Sequence, residues 1–390
     1  MLHDIDNKYK DKIAIVVVGY SRLEGLRRLL DSCNRAFYAI DDVPLVISID
    51  ASGNKKIYDY AQNFEWNHGV KYVNIEKERL GLKNHIFQCG NLTRHFKGVI
   101  LLEDDLYVSP DFYNYACISM NKYGDDENVA GIAFYSNEFN GFLGIPFHPL
   151  NSGSDCFAMQ AVCSWGEMWN IRMWTEFTSW LNDWNEDYSN FDMPNPIKNW
   201  TQAWSKYFYA YLLANHKYFI YPSTSLTTNF NDGIGEHGAS SSPIVQVHLQ
   251  YGKKDYRLLD FADLEKYDIY QQNIKLYNKL GLSKNELSLD LYGQRLMGGK
   301  TAKYILTTQK LNFKIVRSFG LTMRPIELNI LENIPGKGIF LYEANCEVCQ
   351  WKYSQMLMDY MLAWYNRKYL FKYSVKYFWG KLKARYGHDK

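Results

Sequence analysis

The segment 98–112, with the sequence GVILLEDDLYVSPDF, constrains the fold more than any other part of the chain. Its apolar run after Gly98 predicts a buried β-strand, and three consecutive carboxylates, Glu103, Asp104 and Asp105, follow where that strand ends. Adjacent anions repel one another and resist desolvation, so a partly buried site needs a cation or hydrogen-bond donors to compensate them. The pattern predicts a site for Mg²⁺ or Mn²⁺, which bind oxygen ligands and complete their shells with water and phosphate oxygens.

A solvated acidic turn ahead of a helix is the alternative interpretation of these carboxylates. Ser109 suits the N-cap position of a helix and Pro110 its first position, so the acids could precede a helix without binding a metal. The segments upstream favour the metal site, because they predict a sheet whose edge would carry the acids.

Upstream of the acids, short β-branched runs alternate with helical periodicity. A strand with its polar loop is predicted at 12–22 and again at 44–53, further strands at 70–75 and 99–102, and helices at 23–33, 57–64 and 82–94. This alternation predicts an α/β fold with a doubly wound, mostly parallel sheet. Sheets of this kind bind ligands at the carboxyl ends of their strands, where the three acids and Asp50 fall.

The order of these features resembles the nucleotide-sugar-binding half of GT-A glycosyltransferases. The resemblance is closer to the family of the Golgi β-1,2-N-acetylglucosaminyltransferase that initiates complex N-glycans, whose acidic motif also continues into Pro-Asp-Phe, here residues 110–112. It is strong over 12–120, the donor-binding half, faint over 150–240, the acceptor half, and absent beyond 250. It implies a metal-dependent, inverting glycosyltransferase, here a bacterial relative, that uses a nucleotide diphosphate sugar such as a UDP-sugar.

The resemblance also implies roles for individual residues. Asp105 would bind Mn²⁺ or Mg²⁺ and bridge it to the donor diphosphate, while Asp104 would face the ribose and Glu103 the donor sugar. Asp50 would accept the N–H of uracil, and His85 would lie near the base. From the residues alone, Asp50 has a turn ahead of a glycine as its alternative, and His85 equally suits a packed helix position.

Two basic side chains complete the donor site that the resemblance implies. Arg22, in the first loop, would pair with phosphate oxygens. His237 lies in a Gly-rich loop, 231–238, that follows a predicted strand at 218–230, and it would approach the metal or the diphosphate when that loop closes. The alternatives are surface charge for Arg22 and a solvent-facing position for His237.

An inverting transferase needs a carboxylate that takes the proton from the acceptor hydroxyl. The related enzymes place it in an Asp-Asp-Trp segment, whereas this chain has Asn-Asp-Trp, so Asp183 is predicted as the base. Glu167, Asp187 and Asp192 are competitors, and a solvated loop position is the alternative for Asp183. Without any base, a retaining mechanism regains support.

Residues 163–204 are unusually rich in tryptophan. Aromatic rings beside acids suit sugars, whose C–H faces stack on rings, but such density equally suits an aromatic core. The seven residues are Trp165, Trp169, Trp174, Trp180, Trp184, Trp200 and Trp204.

Composition predicts an ordered chain with three parts. A hydrophobic fraction of 47% and an aromatic fraction of 16% exclude disorder for most of it. The predicted parts are a GT-A-like catalytic domain at 1–245, an extension without assigned role at 246–345, and a basic, aromatic C-terminal helix at 346–390. Within the extension, 260–280 is predicted helical and 311–317 a strand.

Cysteine usage and hydropathy predict a cytoplasmic protein. The first twelve residues are polar, no run of eighteen apolar residues occurs, and seven scattered cysteines suit reduced thiols. Cys346 and Cys349 form a solitary Cys-x-x-Cys, which does not by itself predict zinc.

The C-terminal segment 352–390 carries nine Lys or Arg against two Asp, a surplus of +7, so the rest of the chain carries −5 of the total of +2. Basic residues mixed with Trp, Tyr and Phe on a helix suit an anionic membrane surface, here the inner face of the plasma membrane. The alternatives are packing on the catalytic domain or a homodimer interface. Nucleic acid is not expected as a partner, because no binding motif accompanies the charge.

These observations predict a glycosyltransferase that acts on a glycan or lipid-linked glycan in surface polysaccharide synthesis. One alternative is a non-catalytic nucleotide-sugar or glycan-binding module that lacks the base. A second is a sugar nucleotidyltransferase, but the first loop, 19–22, lacks the Gly-rich triphosphate sequence typical of that class.

Overall fold

The computed structural model describes residues 7–201, 203–230, 245–295, 302–344 and 354–386. The chain divides into two compact units, one formed by residues 1–142 and 147–274 and the other by 143–146 and 275–390. The five described cysteines, Cys33, Cys89, Cys117, Cys156 and Cys163, are free thiols.

The first unit contains a large sheet and the helices that cover it. Its elements, numbered along the whole chain, are β1 (Ile13–Gly19), α1 (Leu23–Asn34), β2 (Leu45–Ile49), α2 (Lys55–Asn63), β3 (Lys71–Ile75), α3 (Leu82–Gly90), β4 (Gly98–Glu103), β5 (Leu106–Val108), α4 (Phe112–Tyr123), β6 (Val129–Ala133), β7 (Phe139–Asn140), β9 (Cys156–Met159), β10 (Glu167–Trp169), α5 (Ile171–Asp183), α6 (Asn195–Lys198), α7 (Trp204–Ala214), β11 (Tyr218–Pro222), β12 (Thr227–Asn229) and β13 (Lys266–Tyr267).

The main sheet has nine strands in the order β13-β9-β11-β6-β10-β4-β1-β2-β3. The first half of the chain supplies a parallel block, since β1 pairs in parallel with both β2 and β4, and β2 pairs in parallel with β3. Strand β10 runs antiparallel between β4 and β6, and β9 runs antiparallel to β11. The predicted α/β class is confirmed, with a parallel block where the sequence predicted one and a mixed remainder.

Burial explains why the parallel block forms. Every residue of β1 and β2 is buried, and the first five residues of β4 are buried too, which is typical of strands covered on both faces. Helix α1 buries Leu26, Leu29, Leu30 and Cys33, a spacing of three and four that places them on one face. The alternating strands and helices that the sequence predicted therefore form a buried sheet with helices packed on it.

Two predicted elements in this unit differ from the structure. The segment 218–230 is two strands, β11 and β12, and β12 pairs with β5 rather than with the main sheet. The predicted helix at 260–280 forms only over its last residues, Lys275–Leu280, which belong to the second unit; before them lie a short 3₁₀ turn, Phe261–Asp263, then β13 and an irregular stretch. Asp268 Oδ1 accepts hydrogen bonds from the backbone N–H groups of Tyr270 and Gln272, both at 2.9 Å, and such local bonds compete with a helix.

The second unit contains a small sheet with short helices. Its elements are β8 (Ile145–Pro146), α8 (Lys275–Leu280), β14 (Leu287–Asp290), β15 (Tyr304–Thr307), β16 (Lys314–Phe319), α9 (Leu328–Leu331), β17 (Ile339–Glu343), α10 (Gln355–Met361) and α11 (Arg367–Tyr386). The sheet order is β14-β15-β17-β16. Leu357 and Met361 of α10 are buried in the core of this unit.

Helix α11 is the basic, aromatic helix that the sequence predicted at the C-terminus, and it begins only at Arg367. The aromatic side chains at 369–379 are more than half exposed. Within the described part of the chain, no helix has the length and apolar character needed to cross a bilayer.

Candidate functional site

The loops that follow β1, β2 and β4 meet at one edge of the sheet. The three strands are parallel and in register, with Val18 opposite Glu103 and Gly19 opposite Ile49. Arg22, Asp50 and the acidic motif, defined here as Glu103, Asp104 and Asp105, therefore lie at this carboxyl edge, as the sequence predicted.

Helix α1 packs directly on the backbone of the acidic motif. A Cβ atom built on Gly25 would lie 2.4 Å from the carbonyl oxygen of Asp104, a distance that no side chain can occupy. The backbone N–H of Phe230 donates to the carbonyl oxygen of Asp105 at 2.9 Å, so the end of β12 also contacts the motif. His237 lies in 231–244, outside the described residues, and Phe230 is the last described residue before that segment.

Arg22 lies against the carboxylates of the motif. Its Nη2 donates to Asp104 Oδ1, and its Nη1 donates to Asp105 Oδ2 at 3.4 Å. The second oxygen of each carboxylate, Asp104 Oδ2 and Asp105 Oδ1, is buried and has no hydrogen-bond partner. One guanidinium thus compensates part of the charge and leaves two buried oxygens unsatisfied, an arrangement that costs free energy unless another positive group binds there.

The electrostatics of the motif show the same deficit of positive charge. Burial raises the pKa of Asp104 to about 6, although Arg22 opposes the shift. Burial also raises the pKa of Glu103 well above its usual range, Asp105 and Asp104 raise it further, and Arg22 and Trp204 oppose them. For Arg22, burial lowers the pKa, but the carboxylates of Asp104 and Asp105 raise it more, and the net shift is upward.

These residues fit a divalent metal that is shared with a bound phosphate ligand. In the parts of the chain that the structure describes, no group of three or more His, Cys, Asp or Glu side chains could hold a metal ion. Mg²⁺ and Mn²⁺ need only one or two protein carboxylates when water and phosphate oxygens fill the remaining positions. The free oxygens of Asp104 and Asp105 meet that requirement, so the donor set fits a metal–diphosphate complex better than a metal ion alone.

Asp50 joins the end of β2 to the start of α3. Its Oδ1 accepts from the backbone N–H groups of Ala51 and Leu80, both at 2.8 Å, and its Oδ2 accepts from that of Gly81 at 3.0 Å. Three of about four lone-pair positions on the carboxylate are therefore used by the backbone. The Asp50 carboxylate can therefore accept one further hydrogen bond, from a ligand.

His85 is placed as a packed helix residue. It is 2% exposed, and its Nε2 lies 2.8 Å from the Ser48 hydroxyl of β2. Burial lowers the pKa of His85, so the neutral imidazole is favoured at neutral pH.

The candidate base residues lie in different environments. Glu167 in β10 is 0% exposed, its Oε2 accepts from the backbone N–H of Gly166 at 3.1 Å, and its Oε1 has no partner. It pairs in register with Leu101 and shares a sheet face with Glu103. Burial raises the pKa of Glu167 well above its usual range, and the nearby carboxylate of Glu103 raises it further. Asp183, the last residue of α5, is exposed.

The two other competitors each accept a hydrogen bond from within the chain. Asp187 accepts from the backbone N–H of Ser189 at 2.8 Å, and Asp192 accepts from the hydroxyl of Tyr270 at 2.8 Å.

The seven tryptophans fall into two groups. Trp169, Trp174 and Trp204 are at most 2% exposed and pack with phenylalanines in the core, whereas the other four, Trp165, Trp180, Trp184 and Trp200, are half-buried. Trp204 also hydrogen-bonds Glu103 through its side chain. Sequence reasoning missed that role, because the two residues are 101 positions apart and no motif joins them.

Comparison of the sequence with protein-family models and with curated proteins finds no match. Solved structures with similarity include a fragment of S. aureus TarS, residues 1–349, at 12% identity and a TM-score of 0.37, covering 57% of this chain and 61% of that one. The mannosyltransferase PcManGT from Pyrobaculum calidifontis, in complex with GDP-Man and Mn²⁺, gives 12% identity, a TM-score of 0.34, and coverage of 56% and 59%. GalNAc-T7 with UDP, GalNAc and Mn²⁺ gives 13% identity and a TM-score of 0.36, and the match covers 55% of this chain and 43% of that one. At these TM-scores, none of the similarities establishes a shared function.

Proposed function

We propose that this chain is a metal-dependent glycosyltransferase with a GT-A-like donor site that transfers a sugar from a nucleotide diphosphate donor, with a UDP-sugar as the first candidate. The observation that carries the proposal is the pair of buried, unpartnered oxygens on Asp104 and Asp105 at the carboxyl edge of a parallel β-block. A divalent metal, Mn²⁺ or Mg²⁺, would neutralise charge on the diphosphate as it leaves.

In this proposal the chain's own residues bind and orient the donor. Asp105 and Asp104 would hold the metal and the ribose side of the donor, and Arg22, which bonds both carboxylates, would also attract the phosphate oxygens. Asp50 supplies its remaining lone pair to the base, and His85 supports β2 beneath it. His237 keeps its proposed role at the diphosphate. Glu103 faces the donor sugar.

Exposure favours Asp183 over Glu167 as the base of an inverting mechanism. A base must reach the acceptor hydroxyl, and Glu167 is fully buried whereas Asp183 is exposed. The acceptor class that we propose is a glycan or lipid-linked glycan of a surface polysaccharide.

Thermal shift with UDP tests the donor site directly, because a ligand that binds only the folded state raises the melting temperature. UDP with Mn²⁺ should raise the melting temperature, and each alone should do so much less. Asp105→Asn should remove this metal-dependent shift while keeping the melting temperature of the free protein. Asp59→Asn, at an exposed position of α2, is the matched control. An unchanged Mn²⁺-dependent shift in Asp105→Asn would contradict the metal assignment.

Turnover distinguishes the enzyme from a non-catalytic module. Release of UDP from a UDP-sugar, by transfer or hydrolysis, supports the enzyme, and Asp183→Asn should cut it by about a hundredfold with UDP binding unchanged. Binding without turnover for every sugar and acceptor would favour the module instead. Nucleotidyltransferase activity would appear as consumption of a nucleoside triphosphate and a sugar phosphate.

We also propose that α11 binds an anionic membrane surface, the cytoplasmic face of the plasma membrane being the expected one. Its residues 367–386 include seven Lys or Arg and no Asp or Glu, so a second copy of the helix would be repelled and an anionic surface attracted. Lys368, Lys372 and Lys376 recur every four residues beside a stripe of exposed tyrosines, of which Tyr373 and Tyr377 stack at 6.2 Å. Exposed aromatic rings beside lysines suit the headgroup region of a bilayer.

A further inference from the structure

Three aromatic side chains, beginning in the second half of α5, contact one another in a row, defined here as the aromatic column: Trp180, Trp184 and Tyr188. The rings of Trp180 and Trp184 stack with centroids 4.7 Å apart and planes 24° apart. The ring of Tyr188 meets Trp184 edge-on at 4.8 Å, and Phe191 contacts Trp184 from another side at 5.9 Å. The rings of the column thus support one another over a short stretch of chain.

The column differs from the aromatic core beside it. Trp169, Trp174 and Phe177 are at most 2% exposed, whereas Trp180, Trp184 and Tyr188 are each half-buried. A half-buried ring that is fixed by its neighbours presents part of its apolar surface to solvent at little further cost in entropy when a ligand binds. Such a surface is what the C–H face of a pyranose requires.

The column follows helix α7 toward the acidic motif. At one end, Trp180 contacts Tyr211 in the last turns of α7 at 5.5 Å. At the other end, the ammonium of Lys206 lies 4.1 Å from the ring centroid of Tyr188. Lys206 is in the first turn of α7, which begins at Trp204, the residue that hydrogen-bonds Glu103. The column therefore leads to the turn of helix that borders the proposed donor site.

Lys206 fixes that end of the column. Its ammonium also donates to the carbonyl oxygens of Lys198 and Trp200, at 2.7 and 2.8 Å. These contacts fix the position of the ammonium, and its single positive charge is outnumbered by the four carboxylates of the segment 180–192.

The polar groups around the column are amides and carboxylates. The segment 180–192 contains three Asn, three Asp and one Glu, and it contains no Lys, Arg or His. Exposed members, Asn182, Asp183 and Glu186 among them, lie between the aromatic positions in the sequence. Amides and carboxylates hydrogen-bond sugar hydroxyls, while four carboxylates repel phosphates and uronic acids.

We propose that the aromatic column is the acceptor-binding surface of this chain and that it takes a neutral saccharide rather than an anionic one. The inference rests on the proposed glycosyltransferase function and adds the substrate class of the acceptor side. Ring stacking on Trp184 and Trp180 supplies the affinity, and the surrounding amides and carboxylates exclude polyanions. Asp183, between the two tryptophans, is then carried on the same segment as the surface that binds the acceptor.

Direct binding to the intact protein tests this inference without any turnover. The probes are the neutral tetrasaccharides of β-linked glucose, N-acetylglucosamine, mannose and galactose, with tetragalacturonic acid as the anionic counterpart. Isothermal titration at low ionic strength should show saturable binding for at least one neutral probe and none for the anion. Trp184→Ala should weaken that binding by about tenfold, and Trp184→Phe, which keeps a ring, should retain most of it.

Tyr251→Ala is the matched control, because Tyr251 is an aromatic residue of the same unit, 81% exposed and outside the column. It should leave saccharide binding unchanged. The Mn²⁺-dependent shift with UDP, measured on each variant, shows whether the fold survives and reports the donor site separately from the column. If Trp184→Ala lowers the melting temperature too far, Tyr188→Ala replaces it in the same comparison.

Three outcomes would overturn the inference: no saturable binding of any neutral probe, equal or tighter binding of the anion, or binding that the Trp184 and Tyr188 variants leave unchanged. A protein that binds a neutral probe through Trp184 but never binds UDP would keep the saccharide site and refute the proposed donor site.

Discussion

At the scale of single residues, the candidate site depends on one position that lacks a side chain. Gly25 allows α1 to lie on the backbone of the acidic motif, because any Cβ there would come within 2.4 Å of the Asp104 carbonyl oxygen. The neighbouring guanidinium of Arg22 then reaches both carboxylates. The position of the acids thus depends on the close approach of a helix as much as on the strand that precedes them.

Gly25→Ala tests this dependence. In an ordinary helix interior the change stabilises by roughly 1 kcal/mol. Here we expect the opposite sign, a loss of roughly 1–3 kcal/mol in the free energy of unfolding, together with weaker Mn²⁺-dependent UDP binding, because the backbone of the motif must move. Denaturant unfolding and the UDP thermal shift measure the two effects. Gly252→Ala, where a Cβ would meet nothing within 4 Å, is the control, and equal behaviour of the two variants would refute the packing argument.

The sequence predicts some residues of the site and misses others for a physical reason. Glu103, Asp104, Asp105 and Asp50 are detectable because a carboxylate at the end of an apolar strand is a local signal. Gly25 and Trp204 leave no such signal, since their importance comes from contacts with the motif across 79 and 101 positions of the chain.

At the scale of elements, the alternation of strands and helices predicts the parallel block but not the middle of the sheet. Strand β10 has three residues, too few to show a periodicity, yet it separates β4 from β6 and places Glu167 beside the motif. The predicted helix at 82–94 is α-helical only to Gly90 and continues as a 3₁₀ helix, Asn91–Arg94, and at Gly90 the Trp174 ring of α5 occupies the space where a side chain would be. Long-range packing decides both features.

Glu176 of α5 forms ion pairs with Arg172 and Lys217 and a hydrogen bond with α7. Its carboxylate accepts from Lys217 at 2.7 Å, from Arg172 at 3.1 Å, and from the Tyr211 hydroxyl of α7 at 3.4 Å. Burial acts to raise the pKa of Glu176, but the hydrogen bonds from Lys217 and Arg172 lower it more, and the net shift is downward from 4.5. A lowered folded-state pKa means that the contribution to stability is present above 4.5 and is lost as the pH falls through the folded value.

Glu176→Gln should therefore destabilise the protein in a pH-dependent way. Because the side chain is about a third exposed, solvent screening limits the expected loss to roughly 1 kcal/mol at pH 7. The difference between variant and unmodified protein should shrink as the pH falls below about 4.5. Urea unfolding at a series of pH values measures it, with Glu78→Gln, at an exposed loop position, as the control. A difference that stays constant with pH would show that the ion pairs do not contribute.

At the scale of the whole molecule, charge and exposure are concentrated at the C-terminus. The surplus of +7 in 352–390 was detectable from the sequence, but the boundary of the exposed part was not. Helix α10 belongs to the folded second unit, where Arg324 lies between the rings of Tyr360 and Trp364 at 4.1 and 4.5 Å. In α11 the side chains at 367–369 and 371–379 are exposed, so α11 rather than the whole segment is the membrane-binding candidate.

Truncation after Tyr365 tests that assignment without opening the core around Leu357 and Met361. The intact protein should float with vesicles that contain anionic lipid, the truncated protein should not, and binding should weaken as salt is raised, because screening shortens the range of the lysine charges. A second variant replaces Lys368, Lys372 and Lys376 with Gln. It keeps the helix and its rings, and it should bind more weakly than the intact protein.

Neutral vesicles serve as the lipid control, and light scattering reports whether truncation changes the oligomeric state. A truncated protein that still floats with anionic vesicles would refute the membrane role, and a change from dimer to monomer without loss of flotation would assign α11 to a subunit interface.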